Sequence, residues 1–321
     1  MRALLTGASS FTGTWFASAL AERGFAVTAL HRRPLEAYSP LARRRLARLD
    51  GGVRLVRLPG LGSAEALALL ERERFDILCL HGAEVDDHRS PNFDVAGALA
   101  RTTAGLGPLL DRFAAGDGRA VLVTGSIFEA DEGRGPLPLR AFNPYGLAKT
   151  LIWQTIRFEV ERRGLPLGKL VIAHPVGPLD KPGLVSELLA AWCRGETASI
   201  RRPFLVRDFV AVDALALAYA EAARRLVNER RPVHLVPSLW PESVAAFVGR
   251  LAEAIGRRTG LACAVRLAAP PEPSDEPPFR VGSDTLRALV PNWDEERFWD
   301  GLAATLDPER PRLAPALSIV S

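Results

Sequence analysis

Several residue types that mark specialised protein classes are scarce in this chain of 321 residues. Its three cysteines, Cys79, Cys193 and Cys263, are far apart and show neither a Cys-x-x-Cys pair nor a spacing typical of metal ligands. Each lies among apolar neighbours, so we expect buried thiols in a reducing compartment. No apolar run reaches the roughly 18 residues of a membrane-spanning helix, and early glycines and serines argue against a signal peptide. These absences predict a cytoplasmic protein with no membrane partner.

Lysine is also scarce, because only Lys149, Lys169 and Lys181 are lysines among 41 basic residues. The arginines are scattered apart from a run at 43–45, which we expect to be the solvated face of a helix. The net charge of +4 would suit a nucleic-acid partner, but the arginines are scattered rather than clustered, so the sequence does not predict one. The 48% hydrophobic and 24% charged residues are typical of a globular protein and exclude collagen-like and disordered classes.

Short apolar runs alternate with longer helical patterns in the first half of the chain, which predicts parallel strands joined by right-handed crossovers. We therefore expect an α/β fold, a doubly wound parallel (Rossmann) sheet with a smaller C-terminal substrate-binding region. Strands are expected at 2–5, 26–30, 53–58, 75–80, 120–123 and 169–173, and helices at 14–23, 41–49, 64–74, 95–114 and 144–163. Residues 1–173, with a return segment at about 206–229, are expected to form the dinucleotide-binding domain, and 174–321 mainly the substrate-binding region.

A glycine-rich turn connects the first predicted strand to the first helix. Its pattern is Gly7-x-x-Ser10-x-x-Gly13, with Ser10 where a third glycine could stand. Glycines let the backbone approach a pyrophosphate, whose charge is stabilised by the helix N-terminus. Taken alone, the pattern also fits an ordinary tight turn.

The second predicted strand ends in His31-Arg32-Arg33. Folds that prefer NAD usually have an acidic residue here for the ribose 2′-hydroxyl, whereas arginine can pair with the 2′-phosphate of NADP. The sequence therefore favours NADP, with NAD as the alternative. The other interpretation is that Arg32 and Arg33 are solvated loop residues.

Tyr145 and Lys149 are four residues apart on a predicted helix, so their side chains project from one face. A phenol ionises near ~10, and a nearby ammonium is expected to lower that pKa into a useful range for acid/base chemistry. Thr124 and Ser126 lie at the end of the fifth predicted strand, where open α/β sheets bind ligands. Either hydroxyl could stabilise charge on a substrate oxygen.

Together these motifs resemble the extended short-chain dehydrogenase/reductases, also called the NAD-dependent epimerase/dehydratase family. Residues 76–83, 174–178 and 207–213 add to the resemblance, which covers nearly the whole chain. The resemblance implies that Tyr145 is the acid/base, that Lys149 tunes it, and that Thr124 is the hydroxyl partner, with Ser126 as the alternative. Expected cofactor-binding residues are Gly7, Ser10, Phe11, Thr12, Gly13, Arg32, Arg33, Gly82, Ala83, Tyr145, Lys149, Pro175 and Val176, and expected substrate-binding residues are Glu84, Ser126, His174 and Arg207.

The sequence also departs from the family pattern, since His174 and Asp94 stand where asparagine is common and residues 58–60 lack the usual acidic residue. The substrate's identity therefore stays open. We expect an NADPH-linked reductase acting on a keto group of a nucleotide sugar. The alternatives are an NAD-dependent nucleotide-sugar 4-epimerase and a non-catalytic dinucleotide-sensing protein. We expect no metal, a homodimer formed through the helices at 95–114 and 144–163, and no function for His31, His81 and His234.

Overall fold

The structure is a computed structural model that describes residues 1–82, 90–269 and 276–306. Strands and helices alternate in its N-terminal half as the apolar pattern predicted. They are Arg2–Thr6 (β1), Phe11–Glu22 (α1), Ala26–His31 (β2), Pro40–Ala47 (α2), Arg54–Arg57 (β3), Ala64–Arg72 (α3), Ile77–Leu80 (β4), Val95–Thr103 (α4), Leu106–Ala115 (α5), Ala120–Ser126 (β5), Pro144–Glu161 (α6) and Leu167–Ile172 (β6), with a 3₁₀ helix at Leu35–Ala37.

The C-terminal half has shorter strands and fewer long helices. Its elements are His174–Val176 (β7), Leu184–Cys193 (α7), Ala198–Ile200 (β8), Val206–Ala211 (β9), Val212–Glu229 (α8), Val233–Leu235 (β10), Pro237–Ser238 (β11), Trp240–Ser243 (β12), Val244–Thr259 (α9), Val265–Leu267 (β13), Phe279–Arg280 (β14), Asp284–Thr285 (β15), Leu286–Leu289 (α10) and Glu295–Ala303 (α11), followed by a 3₁₀ helix at Ala304–Leu306.

A seven-stranded parallel sheet in the order β10-β6-β5-β4-β1-β2-β3 forms the centre of the structure. Every residue of β4 and β5 is buried, because helices cover both faces of the sheet. Side chains of α1 and α8 fill one core, and side chains of α3, α5 and α6 fill the other. The predicted doubly wound fold is confirmed.

The C-terminal region adds a smaller sheet beside the end of β6. Its strands run in the order β12-β9-β14, and β7 pairs with the last residues of β9, beyond the part that pairs with β14. Stacked aromatic rings hold this sheet to its helices, with Phe209 on Phe247 at 3.7 Å and Trp240 on Trp299 at 5.2 Å between ring centroids. Because β7 directly follows β6, the smaller sheet is placed next to the carboxyl edge of the central one.

The single helix expected at 95–114 is wrong, since α4 and α5 are separate helices. Gly105 lies between them with φ +72°, a conformation that glycine adopts at little cost. A Cβ at this position would lie 2.0 Å from the Cα of Gly62. The close contact between the backbones of Gly62 and Gly105 therefore requires glycine at position 105, and α4 ends two residues before it.

Two expectations about burial are also wrong. Arg45 is only 9% exposed, because its guanidinium donates to the Leu179 carbonyl oxygen at 2.8 and 2.9 Å and faces the Phe11 ring. Cys193 is exposed at the end of α7 and Cys263 is partly exposed, whereas Cys79 is buried as predicted. Among the described helices, none has the length and apolar character needed to cross a membrane.

Candidate active site

The turn after β1 and the loop after β4 meet at the carboxyl edge of the central sheet. Gly7 has φ +78°, and a Cβ on it would lie 2.8 Å from the Cα of Gly82. A Cβ on Gly13 would lie 2.2 Å from the Gly7 carbonyl oxygen. Both glycines are therefore required by close backbone contacts, which is how a dinucleotide-binding turn is built.

Ser10 does not obstruct this turn, although it replaces a glycine of the usual pattern. Its hydroxyl caps α1 by accepting from the Gly13 N–H at 3.0 Å and lies 2.9 Å from the Gly7 carbonyl oxygen. The side chain thus faces the protein and leaves the N-terminus of α1, at Phe11 and Thr12, open for an anion. The turn fits the pyrophosphate of a dinucleotide.

His81 connects this turn to the end of β5. Its Nε2 lies 2.9 Å from the Ser10 hydroxyl and 3.2 Å from the Thr12 hydroxyl, and its Nδ1 lies 3.0 Å from the Thr124 hydroxyl. Burial and the positive charge of Lys149 lower the pKa of His81 to about 3, so the ring stays neutral. No function is predicted for His81 from the sequence. Its position directly after a buried strand is the feature that could have indicated a role at the site.

The two candidate hydroxyls at the end of β5 have different partners. The Thr124 side chain faces His81, as described above, whereas the Ser126 hydroxyl hydrogen-bonds Tyr145. The Ser126 N–H donates to Glu129 Oε1 at 2.7 Å. The structure therefore brings Ser126 to the phenol of Tyr145 and Thr124 to the imidazole of His81.

Tyr145 and Lys149 lie in the first turns of α6. Asn143 caps the helix by accepting from the Gly146 N–H at 2.9 Å, and Pro144 occupies its first turn. A Cβ on Gly146 would lie 2.1 Å from the Phe128 carbonyl oxygen. This close contact holds the first turn, and with it Tyr145, against the loop that follows β5.

The electrostatics of this pair differ from the sequence-based expectation. Lys149 donates from Nζ to the Thr124 carbonyl oxygen at 2.7 Å, and burial lowers its pKa. Burial and the negative charge of Glu129 raise the pKa of Tyr145, while the hydrogen bond from Ser126 lowers it. The sequence predicts a lowered pKa for Tyr145, whereas the net shift is upward because burial dominates, so the phenol is the favoured form at neutral pH.

Aromatic rings connect Tyr145 to the start of the smaller sheet. Phe128 lies 6.2 Å from the Tyr145 ring and 6.0 Å from the His174 ring, between centroids. Phe93 packs edge-on against Tyr145 at 5.8 Å. His174 begins β7, so Pro175 and Val176 follow it along the same strand.

The remaining predicted residues lie further from this centre or outside the described part. Arg207 on β9 is 7% exposed and forms an ion pair with Glu276. Arg32 and Arg33 are exposed, and their backbone N–H groups both donate to the Tyr38 hydroxyl, at 3.0 and 3.1 Å. Ala83 and Glu84 lie outside the described residues. In the described part of the chain, no cluster of His, Cys, Asp and Glu could hold a metal ion.

Comparison with known proteins agrees with this arrangement. Residues 3–236 match the model of the family described as NAD dependent epimerase/dehydratase. No curated protein sequence matches the chain. One similar solved structure is a UDP-glucose-4-epimerase from Stenotrophomonas maltophila with NAD and formylated UDP-arabinopyranose, at 17% identity and a TM-score of 0.73, covering 95% of this chain and 98% of that chain. A second is a UDP-glucose 4-epimerase from Thermotoga maritima with UDP-glucose, at 19% identity and a TM-score of 0.69, covering 95% of this chain and 97% of that chain. A third is a UDP-glucuronic acid 4-epimerase from Bacillus cereus with UDP-glucuronic acid and NAD, at 15% identity and a TM-score of 0.70, covering 95% of this chain and 99% of that chain.

Proposed function

The chain belongs to the NAD-dependent epimerase/dehydratase family, and from this premise we propose that it is an NAD-dependent 4-epimerase of nucleotide sugars. The observation that carries the proposal is the placement of Ser126, Tyr145 and Lys149 beside a turn that fits a dinucleotide. The similar structures named above include epimerases with NAD and UDP-linked ligands, which supports the same chemistry here. This is the alternative of the sequence analysis rather than its first choice.

In the proposed reaction, the bound nicotinamide supplies a reversible hydride acceptor. In its phenolate form, Tyr145 would take the proton of the sugar C4 hydroxyl as C4 is oxidised, and the resulting phenol would return that proton when C4 is reduced from its opposite face. The Ser126 hydroxyl stabilises charge on the same oxygen. Lys149 holds the nicotinamide ribose and, as a cation one helical turn from Tyr145, favours the phenolate. The bond from Lys149 to the Thr124 carbonyl fixes the ammonium for that role.

We propose the other sequence-based assignments as the binding surfaces. The backbone from Gly7 to Gly13 and Gly82–Ala83 hold the dinucleotide, Pro175 and Val176 pack near the nicotinamide, and Glu84, His174 and Arg207 bind substrate. Arg207 would contact the diphosphate of a nucleotide sugar, exchanging its ion pair with Glu276 for a bidentate phosphate contact. Residues 174–321 would thus serve mainly substrate, and 1–173 mainly the dinucleotide, in the cytoplasm.

An NADPH-linked reductase is the second candidate, and two observations favour it. Arg32 and Arg33 are exposed at the end of β2, where a 2′-phosphate would lie. The raised pKa of Tyr145 keeps the phenol protonated, as required for donation to a carbonyl oxygen. In this case the backbone N–H groups of Arg32 and Arg33 would donate to the 2′-phosphate in place of the Tyr38 hydroxyl.

Cofactor retained through purification tests the proposal. The protein is denatured after gel filtration, and the released nucleotide is identified by chromatography. We expect about one NAD per chain, because an epimerase uses its cofactor without exchanging it. An empty protein that binds NADPH at least tenfold more tightly than NADH would support the reductase instead.

A further inference from the structure

A buried ionic cluster lies behind the carboxyl end of β5. Lys169 on β6 donates from Nζ to Glu129 Oε2 at 2.5 Å and to Glu132 Oε1 at 2.6 Å, and the three side chains are 1–4% exposed. The ammonium also lies 4.5 Å from the centroid of the Trp153 ring. Such a cluster is not in itself stabilising, because apolar residues of the same volume often serve a core equally well. Its placement indicates a role other than stability.

One member of the cluster reaches the candidate site. Glu129 uses its second oxygen, Oε1, to accept from the Ser126 N–H at 2.7 Å, and Ser126 in turn hydrogen-bonds Tyr145. The Glu129 charge acts on Tyr145 and on Lys149. Glu132 instead turns away from the site, because its Oε2 lies 2.9 Å from His234 Nε2.

We propose that Glu129 is a positioning residue of this site: its carboxylate, oriented by Lys169, accepts from the Ser126 N–H and fixes the main chain that carries the Ser126 hydroxyl. The inference rests on the proposed role of Tyr145 as the acid/base. It gives Lys169, one of the three lysines of the chain, a function as the residue that orients Glu129.

Other charged groups around the cluster come from four elements. Arg280 on β14 donates to the Glu129 carbonyl at 3.2 Å and to the Glu132 carbonyl at 3.1 Å. His234 on β10 is 54% exposed at the outer end of the cluster. On the Tyr145 side, Lys149 on α6 is the cation and His174 on β7 is the other titratable ring. Glu129 is the negative charge that raises the pKa of Tyr145, so its removal has a defined sign.

The test compares Glu129→Gln with a matched control, Glu132→Gln. Both variants replace a buried carboxylate that accepts from Lys169, and both leave the other carboxylate to pair with it. Only Glu129 contacts Ser126. The chain has three tyrosines, so ¹³C at the ring Cζ gives three NMR signals, and Tyr145→Phe assigns the one of interest. Ionisation is followed by the shift of that signal from pH 8 up to the highest pH at which the protein stays folded, with and without NAD.

We expect the phenolate-to-phenol ratio of Tyr145 at a given pH to be about tenfold higher in Glu129→Gln than in Glu132→Gln and the unsubstituted protein, a shift of about one pH unit. Equal ratios in the two variants would overturn the inference. If Glu129→Gln does not fold, Glu129→Asp keeps the charge but shortens the side chain that accepts from the Ser126 N–H, and unchanged turnover and pH profile in that variant would overturn the inference.

This titration needs no substrate, so its result is separate from the proposed function. If Tyr145→Phe retains full turnover, Tyr145 is not the acid/base, whatever the titration gives. If Tyr145→Phe is inactive and Glu129→Gln titrates like its control, the catalytic role stands and Glu129 has only a packing function. The pH profile of turnover gives a second readout, because its acidic limb should move to lower pH in Glu129→Gln alone.

Discussion

At the scale of single residues, the roles of the Ser126 and Thr124 hydroxyls are the ones that most need to be distinguished by experiment. Ser126 contacts Tyr145, and Thr124 contacts His81. We therefore expect Ser126→Ala to lower turnover by about 10- to 100-fold with little change in cofactor affinity, because it removes a hydrogen bond to the reacting oxygen. Thr124→Val should instead weaken cofactor binding and leave turnover of the bound form within about threefold. Steady-state kinetics and NAD titration of both variants measure these effects. If Thr124 were the hydroxyl partner, Thr124→Val would lower turnover and Ser126→Ala would not.

His81 gives the native state a specific response to acid. The pKa of its imidazole falls to about 3 in the folded protein, whereas an unfolded imidazole takes up a proton near ~6.5. The unfolded state binds more protons below that pH, so stability is full above about pH 6.5 and is lost as the pH falls toward 3. We expect a loss of about 1 kcal/mol between pH 8 and 5, discounted for the partly exposed ring.

The measurement is the free energy of unfolding by urea at several pH values, for the unsubstituted protein and for His81→Asn. The variant should be less stable at pH 8 and should show a flatter dependence between pH 8 and 5. Parallel curves for the two proteins would mean that His81 takes up its proton at the same pH in the folded and unfolded states, which would contradict its burial as a neutral ring.

At the scale of elements, the turn from β1 into α1 is the part least able to accept a larger residue. In Gly13→Ala the new Cβ would lie 2.2 Å from the Gly7 carbonyl oxygen, so the backbone must move. We expect a loss of at least about 2 kcal/mol of stability, as in other overpacked sites, together with loss of NAD binding. Gly249→Ala in α9 is the matched control, because its new Cβ would meet nothing within 4 Å. This substitution should stabilise the protein by up to ~1 kcal/mol, since alanine favours the helix more than glycine does. Thermal unfolding with and without NAD measures both effects, and a Gly13→Ala variant that still binds NAD normally would contradict this account of the turn.

The elements that sequence patterns could predict are those that local residues determine. β4 is apolar throughout, β5 begins with four apolar residues, and the N-terminus of α6 has its own capping residues, so all three were predicted within a few residues. The break between α4 and α5 depends on Gly62, which is distant in sequence, and was missed. The same reason explains which contacts of the candidate active site the sequence could predict. The glycine-rich turn is local and was found, whereas the contacts of His81 with Thr124 and of Glu129 with Lys169 join separate strands.

At the scale of the whole molecule, α6 presents an apolar stripe to solvent. Leu147, Leu151 and Phe158 are 46%, 38% and 65% exposed and are spaced so that they share one helix face. We propose that a second copy covers this stripe, as in the homodimer expected from the sequence. Phe158→Glu should therefore give a monomer by light scattering at micromolar concentration. Leu137→Glu, at an 84% exposed position outside this helix, should leave the dimer intact. A monomeric unsubstituted protein would end this proposal.

The proposed epimerase activity is tested most directly with UDP-glucose that carries deuterium at C4, incubated with the purified protein and no added cofactor. An enzyme that removes the hydride and returns it to the same carbon should give the C4 epimer with the deuterium retained, and Tyr145→Phe should give at least about 100-fold less product. UDP-glucuronic acid and UDP-N-acetylglucosamine serve as further substrates in the same assay. Absence of any epimer, together with substrate-dependent oxidation of added NADPH by a keto sugar nucleotide, would contradict the epimerase and establish the reductase.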